Sequence, residues 1–112
     1  MNDRIKKVNS LIKRELGKII HSYLQEENFS LVTVTNVITS SDLYYADIFL
    51  NIFDKKEGKK LLDFLKRNIY HIQKELDKKL VLKYVPQIRF KIDKTQDFVD
   101  RIENLIEKAK EK

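Results

Sequence analysis

The sequence predicts an α+β domain in the order αββααβα, with a small mixed three-stranded sheet packed against helices. Three observations predict it. Ala46, Ile48, Leu50 and Ile52 alternate with Tyr45, Asp47, Phe49 and Asn51, the two-residue period of a half-buried strand. Apolar residues recur at steps of three and four from Arg4 to Leu24 and again from Leu61 to Leu80, the period of amphipathic helices. The single proline, Pro86, opens another extended run after the second helical stretch. A chain of 112 residues suffices for one core but not two, so residues 1–112 form one domain, with 1–3 and 108–112 expected to fray.

In the first helix, Ile5, Val8, Ile12, Leu16, Ile19 and Tyr23 form the apolar stripe, while Lys7, Arg14 and Lys18 share another face. Gly17 is its weak point, costing up to about 1 kcal/mol. Leu31 to Thr39 is rich in Val, Thr and Ile and reads as the first strand. Val32, Val34 and Ile38 point one way and Val37 the other, which calls for a bulge. Ser40, Ser41 and Asp42 supply side chains that stabilise a turn, and Leu43 to Phe53 forms the second strand of a hairpin.

Asp54 followed by Glu57 resembles a capping pair for a helix starting near Lys55. Leu61, Leu62, Leu65, Ile69, Ile72, Leu76 and Leu80 carry its stripe, and a crowded apolar phase places any kink near Asn68 to Tyr70. Gln87 to Asp93 is the third strand. A strand, a helical crossover and a strand imply parallel pairing of strands two and three through a right-handed connection. Thr95 is expected to cap the last helix, whose Phe98, Ile102, Leu105, Ile106 and Ala109 are expected to be buried.

Charge is distributed unevenly along this chain. The formal net charge is +6, yet residues 55–91 alone carry twelve basic and four acidic side chains. A clustered basic surface attracts polyanions by releasing their condensed counterions, which makes nucleic acid the leading partner and an anionic membrane surface the runner-up. No segment resembles a signal peptide or membrane span, no membrane partner is expected, and the absence of cysteine fits a reducing, cytoplasmic setting. It also excludes disulfides and thiolate chemistry.

His21 and His71 stand 50 positions apart and outside any metal-ligand spacing. The serines lack a nucleophile-elbow pattern, and two glycines cannot build a phosphate loop. Asp42 and Asp47 read as a turn former and a polar strand position, not an acid–base pair. No enzyme, metal, cofactor or small-molecule substrate is expected. Arg67, His71, Lys74 and Lys78 are spaced by four, three and four, forming one solvent-facing row. The candidate phosphate contacts are Lys66, Arg67, Lys74, Lys78, Lys79, Lys83 and Arg89.

Thr33-Val34-Thr35-Asn36-Val37, Ser41-Asp42-Leu43 with Ala46, and Lys74-Glu75-Leu76 through Leu80, Leu82, Tyr84-Val85-Pro86, Ile88, Phe90 and Asp93 together form a fairly specific pattern. With Lys13-Arg14-Glu15-Leu16 in the opening helix, it resembles the ribosome-binding factor A family over nearly the whole chain. The resemblance implies a type II KH-like αββααβ core plus a C-terminal helix. It also implies a bacterial assembly factor, here a monomer, that binds the small (30S) ribosomal subunit and assists maturation of its 16S rRNA, with an association with growth in the cold. RNA-binding KH domains generally use a Gly-x-x-Gly loop, which is absent here. Where the family has an Ala-x-Gly type kink, this chain has Asn68-Ile69-Tyr70, so the kink is expected to be altered or lost. Two other readings remain open: a general KH-like single-stranded RNA binder, or a protein-interaction module with a solubilising basic surface that uses Tyr44, Tyr45 and Phe49.

Overall fold

A computed structural model describes residues 3–110, apart from the side chain of Gln96. Its elements are α1 (Asp3–Leu24), β1 (Val32–Thr39), β2 (Tyr45–Ile52), a 3-10 turn (Lys55–Glu57), α2 (Gly58–Arg67), α3 (Ile69–Lys79), β3 (Gln87–Ile92) and α4 (Thr95–Lys110). The strands lie in the order β1-β2-β3. β1 pairs antiparallel with β2, and β3 runs parallel to β2 with Gln87 opposite Tyr45. The mixed sheet and the αββααβα order are those the sequence predicts. Of the ends expected to fray, 1–2 and 111–112 lie outside the described residues, whereas Asp3 and 108–110 are helical.

The alternation in β2 is realised fully: Ala46, Ile48, Leu50 and Ile52 are buried against the helices, joined by Ile88 and Phe90 of β3. Ile12 and Leu16 of α1, Leu61 and Leu65 of α2, and Ile72 and Leu76 of α3 close the core from the other side. The register of β1 against β2 shifts between Val34 and Asn36, so the bulge that the apolar positions allowed is present and falls at Thr35. Its consequence differs from the sequence reading. Inserting one residue turns Val37 and Thr39 inward beside Val34 and leaves Ile38 51% exposed on the open face of the sheet. Thr39, the buried polar residue, gives both its N–H and its hydroxyl to Asn9 Oδ1, at 3.1 and 2.5 Å, pinning α1 to the end of β1.

The Asp54–Glu57 pair is split between two tasks. Asp54 Oδ1 accepts from the Lys56 N–H at 3.0 Å, as a cap should. Glu57 instead accepts from the Ser30 N–H and hydroxyl, at 2.8 and 3.0 Å, and Ser30 Oγ accepts in turn from the Asp54 N–H. The carboxylate thus ties the loop before β1 to the start of the crossover. Gly17 has no heavy atom within 4 Å of where a Cβ would stand, so no close approach accounts for it.

β3 is an edge strand, and the start of its outward backbone is bonded by one side chain. Gln73 of α3 accepts from the Ile88 N–H at 2.9 Å and donates to the Pro86 carbonyl at 3.1 Å. An unpaired strand edge is a template for unwanted pairing, and this amide closes its entrance.

Two expectations for α4 are corrected. Thr95 is not the capping side chain: its N–H donates to Asp93 Oδ1 at 2.9 Å, and Asp93 also accepts from the Thr35 hydroxyl. These bonds, that from Thr35 first, hold the Asp93 carboxyl below its ordinary pKa. The apolar stripe is not buried either: Phe98 and Leu105 are each 63% exposed, Ile102 and Ile106 are also open, and Ala109 is exposed. Helices α1 to α3 already cover the inner face of the sheet, and α4 leaves from its far edge. An ion pair between Lys55 and Asp97 holds its first turn and raises the Lys55 pKa through that hydrogen bond.

Replacing Gln73 with leucine should lower stability in urea by about 1–3 kcal/mol, because the Ile88 N–H and Pro86 carbonyl lose their partner. Deleting residues 94–112 should move the thermal midpoint by less than about 4 °C, the scale of a sub-kcal change in a domain this small. A larger drop would mean that the α4 stripe is covered in solution.

Candidate nucleic-acid interface

The crossover from β2 to β3 presents one face to the core and the other to solvent. Leu61, Leu65, Ile72 and Leu76 take the inner positions, and spacing alone then directs Lys66, Arg67, His71, Lys74 and Lys78 outward, where all are exposed.

The helical rhythm is broken once, at Asn68, which joins α2 to α3 with φ −100° and ψ 6°. Its N–H is shared between the Phe64 and Leu65 carbonyls at 3.2 Å each, and its side-chain Nδ2 donates to the Phe64 carbonyl at 2.9 Å. The kink placed near Asn68 to Tyr70 is therefore present, and of the two outcomes expected from Tyr70 it is not lost. Among the described residues only Leu43 has positive φ, so this break needs no glycine, and the Asn68 side chain gives the Phe64 carbonyl a second donor where the backbone N–H is divided between two acceptors.

The seven candidate contacts do not form one patch. Lys66 and Arg67 share a shallow groove with Lys60 and Asp63. Lys74 lies over the Tyr70 ring at 4.6 Å, and Tyr70 meets His71 edge-on at 5.6 Å. Lys78 and Lys79 line a second groove with Glu75 and with Glu15 and Lys18 of α1. Glu15 also lies 3.4 Å from Arg14 and 3.8 Å from Lys18, so α1 contributes a mixed-charge border. Lys83 stands beyond α3, over the Tyr84 ring at 5.6 Å.

Arg89 is separated from the rest by the sheet itself. It lies on the open face, 2.8 Å from Asp47 and over the Tyr45 ring at 4.5 Å, and Lys91 reaches the same carboxylate at 3.1 Å. Of the aromatic patch considered from sequence, Tyr44 and Tyr45 are exposed, but Phe49 is half-buried. Sequence reasoning missed Lys60, which joins Lys66 and Arg67 from about two turns back. The signal was present, since positions 60 and 67 are seven apart and share a helix face.

Among the described residues, no group of three His, Cys, Asp or Glu side chains converges to hold a metal ion, and no helix is long and apolar enough to cross a membrane. Fold and surface together define a small α+β module that carries several separate basic surfaces around one core. The family model for ribosome-binding factor A matches residues 4–106. Ribosome-binding factor A of Macrococcus caseolyticus is 33% identical over 95% of this chain and 94% of its own length. That of Chlamydia caviae is 36% identical over 98% and 94%. The crystal structure of the Thermus thermophilus factor superposes with a TM-score of 0.68 at 22% identity, covering 79% of this chain and 94% of that one. A model of the Thermus factor fitted into an electron cryo-microscopy map of a 30S complex gives 0.65 at 24% identity, over 76% and 90%. This chain belongs to the ribosome-binding factor A family.

Replacing Asn68 with alanine should cost about 0.5–1.5 kcal/mol in a denaturant titration, through loss of its bond to the Phe64 carbonyl. An unchanged midpoint would show that the backbone alone makes the break.

Proposed function

We propose that this protein binds the free small ribosomal subunit and assists maturation of its 16S rRNA, acting as a monomeric, non-enzymatic assembly factor in the cytoplasm. The observation that carries this reading is the solvent face of α2 and α3, where Lys66, Arg67, Lys74, Lys78 and Lys79 stand outward from a crossover whose other face is fully committed to the core. Family membership over residues 4–106 supplies the partner class, and the 30S complex of the Thermus relative supports it.

The chemistry is phosphate recognition. Lysine ammonium groups on exposed helix positions neutralise backbone charge without reading sequence, and the gain comes largely from released counterions. A domain that binds one RNA arrangement better than another shifts the population toward it, which is the whole of the conformational work such a factor needs. Arg89 contributes less than its charge suggests, because Asp47 already offsets it. Lys83 stands apart from these, beyond the end of α3 and over the Tyr84 ring.

Charge reversal at Arg67, Lys74 and Lys78 should reduce co-sedimentation with free small subunits while leaving the fold intact, as all three side chains lie off the core stripe. The slope of log affinity against log salt should fall by about 1 for each contact removed. Binding that ignores salt would refute the electrostatic mechanism. Equal competition by unrelated RNAs of the same length would favour the general RNA-binder reading instead.

A further inference from the structure

The entrance of the sheet holds a cleft of about 680 Å³ that the α2–α3 cations do not reach. Its floor is apolar, made by Val8 of α1, Leu43 of the β1–β2 turn, and Leu82 and Pro86 of the α3–β3 connection. Its rim carries two aromatic rings, Tyr44 and Tyr84, and two cations, Arg4 and Lys83. Such a volume, apolar with a few charged groups at its border, is the usual form of a small-ligand site.

Three features distinguish it from ordinary surface. Tyr44 is 70% and Tyr84 77% exposed, so both rings are open to solvent beside the cleft, with the Lys83 ammonium over one side of the Tyr84 ring at 5.6 Å. The turn that presents Tyr44 is strained: Leu43 sits at φ 65°, a left-handed conformation that a branched side chain rarely adopts. That strain is held in place. Asp42 Oδ1 accepts from the Ser40 hydroxyl at 2.6 Å and the Tyr44 N–H at 3.0 Å, while the Tyr44 carbonyl accepts from the Gln87 N–H at 2.8 Å. The Tyr44 backbone is therefore fixed on both sides, and the Leu43 side chain is directed into the cleft floor.

The charge at the rim sets the ligand class. Arg4 and Lys83 line the cleft together with Asp42, whose Oδ1 is engaged within the turn. An anionic group with a flat apolar body fits this combination. We infer that the cleft takes one unpaired nucleotide of an RNA single strand, its base packed on Tyr44 and Tyr84 and its phosphate drawn to Arg4 and Lys83. Stacking on exposed aromatic rings tolerates any base, because every base has a π face. Duplex RNA, whose bases are stacked on one another, cannot offer a single base to the cleft.

The inference is independent of small-subunit binding and is tested on the purified full chain. The protein has five tyrosines and no tryptophan, so tyrosine emission follows binding to the native chain, while anisotropy of a dye-labelled RNA follows binding to variants that lack these two rings. A short single-stranded oligoadenylate should quench that emission saturably, and a duplex RNA of matched length should not. The Tyr44→Leu/Tyr84→Leu variant should bind the single strand about tenfold more weakly and the duplex as before. Tyr44→Phe/Tyr84→Phe should restore single-strand binding, since the rings remain. Equal quenching by strand and duplex, no loss in the leucine variant, or no rescue by phenylalanine would each overturn the inference. A protein that passes these tests yet fails to co-sediment with small subunits would lose the proposed function and keep this site.

Discussion

The parallel pairing of β2 with β3 is the constraint on which the remaining structure depends. β2 ends at Ile52, and β3 begins opposite Tyr45, at the other end of its neighbour, so the chain must travel back along the full sheet before pairing again. A tight turn cannot do this, and helices can. α2 and α3 make the return, and burying one stripe of each against the sheet leaves the opposite face for charge. The most basic part of the chain is thus outward-facing for a reason of topology: the crossover is long, and half of its surface has no packing to perform. Gln73 joins the two ends of this constraint by holding the first residues of β3 from the helix that delivers them.

Much of this fold was legible in sequence because period-2 and period-3.6 patterns are direct consequences of which face is buried. β2 is the clearest case, and the parallel pairing followed from the length of the crossover. β1 was only half legible. A bulge could be inferred from its conflicting apolar positions, but not which residue is inserted, and that choice decides whether Ile38 or Val37 enters the core. For α4 the pattern was correct and the conclusion was not. An amphipathic stripe shows that a face favours burial, yet it does not identify a partner, and here the inner face of the sheet is already occupied by three helices. The separate position of Arg89 was in fact available from the alternation Ile88-Arg89-Phe90, which obliges Arg89 to point away from the helices that bury its neighbours.

The join at Asn68 shows how one local geometry is reached by different chemistry. A glycine allows another backbone to approach closely and permits left-handed dihedrals. Neither is used here, since the join has ordinary negative φ and an asparagine side chain supplies the hydrogen bond at the end of α2. The cost of lacking glycine falls on access: Ile69 and Tyr70 place side chains at this corner where a glycine would leave the main chain bare. Contacts at the corner must come from side chains, and the nearest ones are Lys66, Arg67 and Lys74.

That dependence on side chains, together with their spacing, limits the form of any ligand that engages the whole surface. Lys66 and Arg67 precede α3 and Lys83 follows it, so the helix of eleven residues stands between them, about 16 Å of rise. One nucleotide cannot bridge that distance. On the proposed readings, a polyanion that touches both ends must be several nucleotides long and must present an unpaired base at Tyr84 while offering phosphates at Arg67. Junctions between helical and single-stranded RNA have this character, whereas uniform duplex does not. On these readings the two sites together disfavour uniform duplex, a selectivity that arises from the length of α3 and requires no base-specific hydrogen bond.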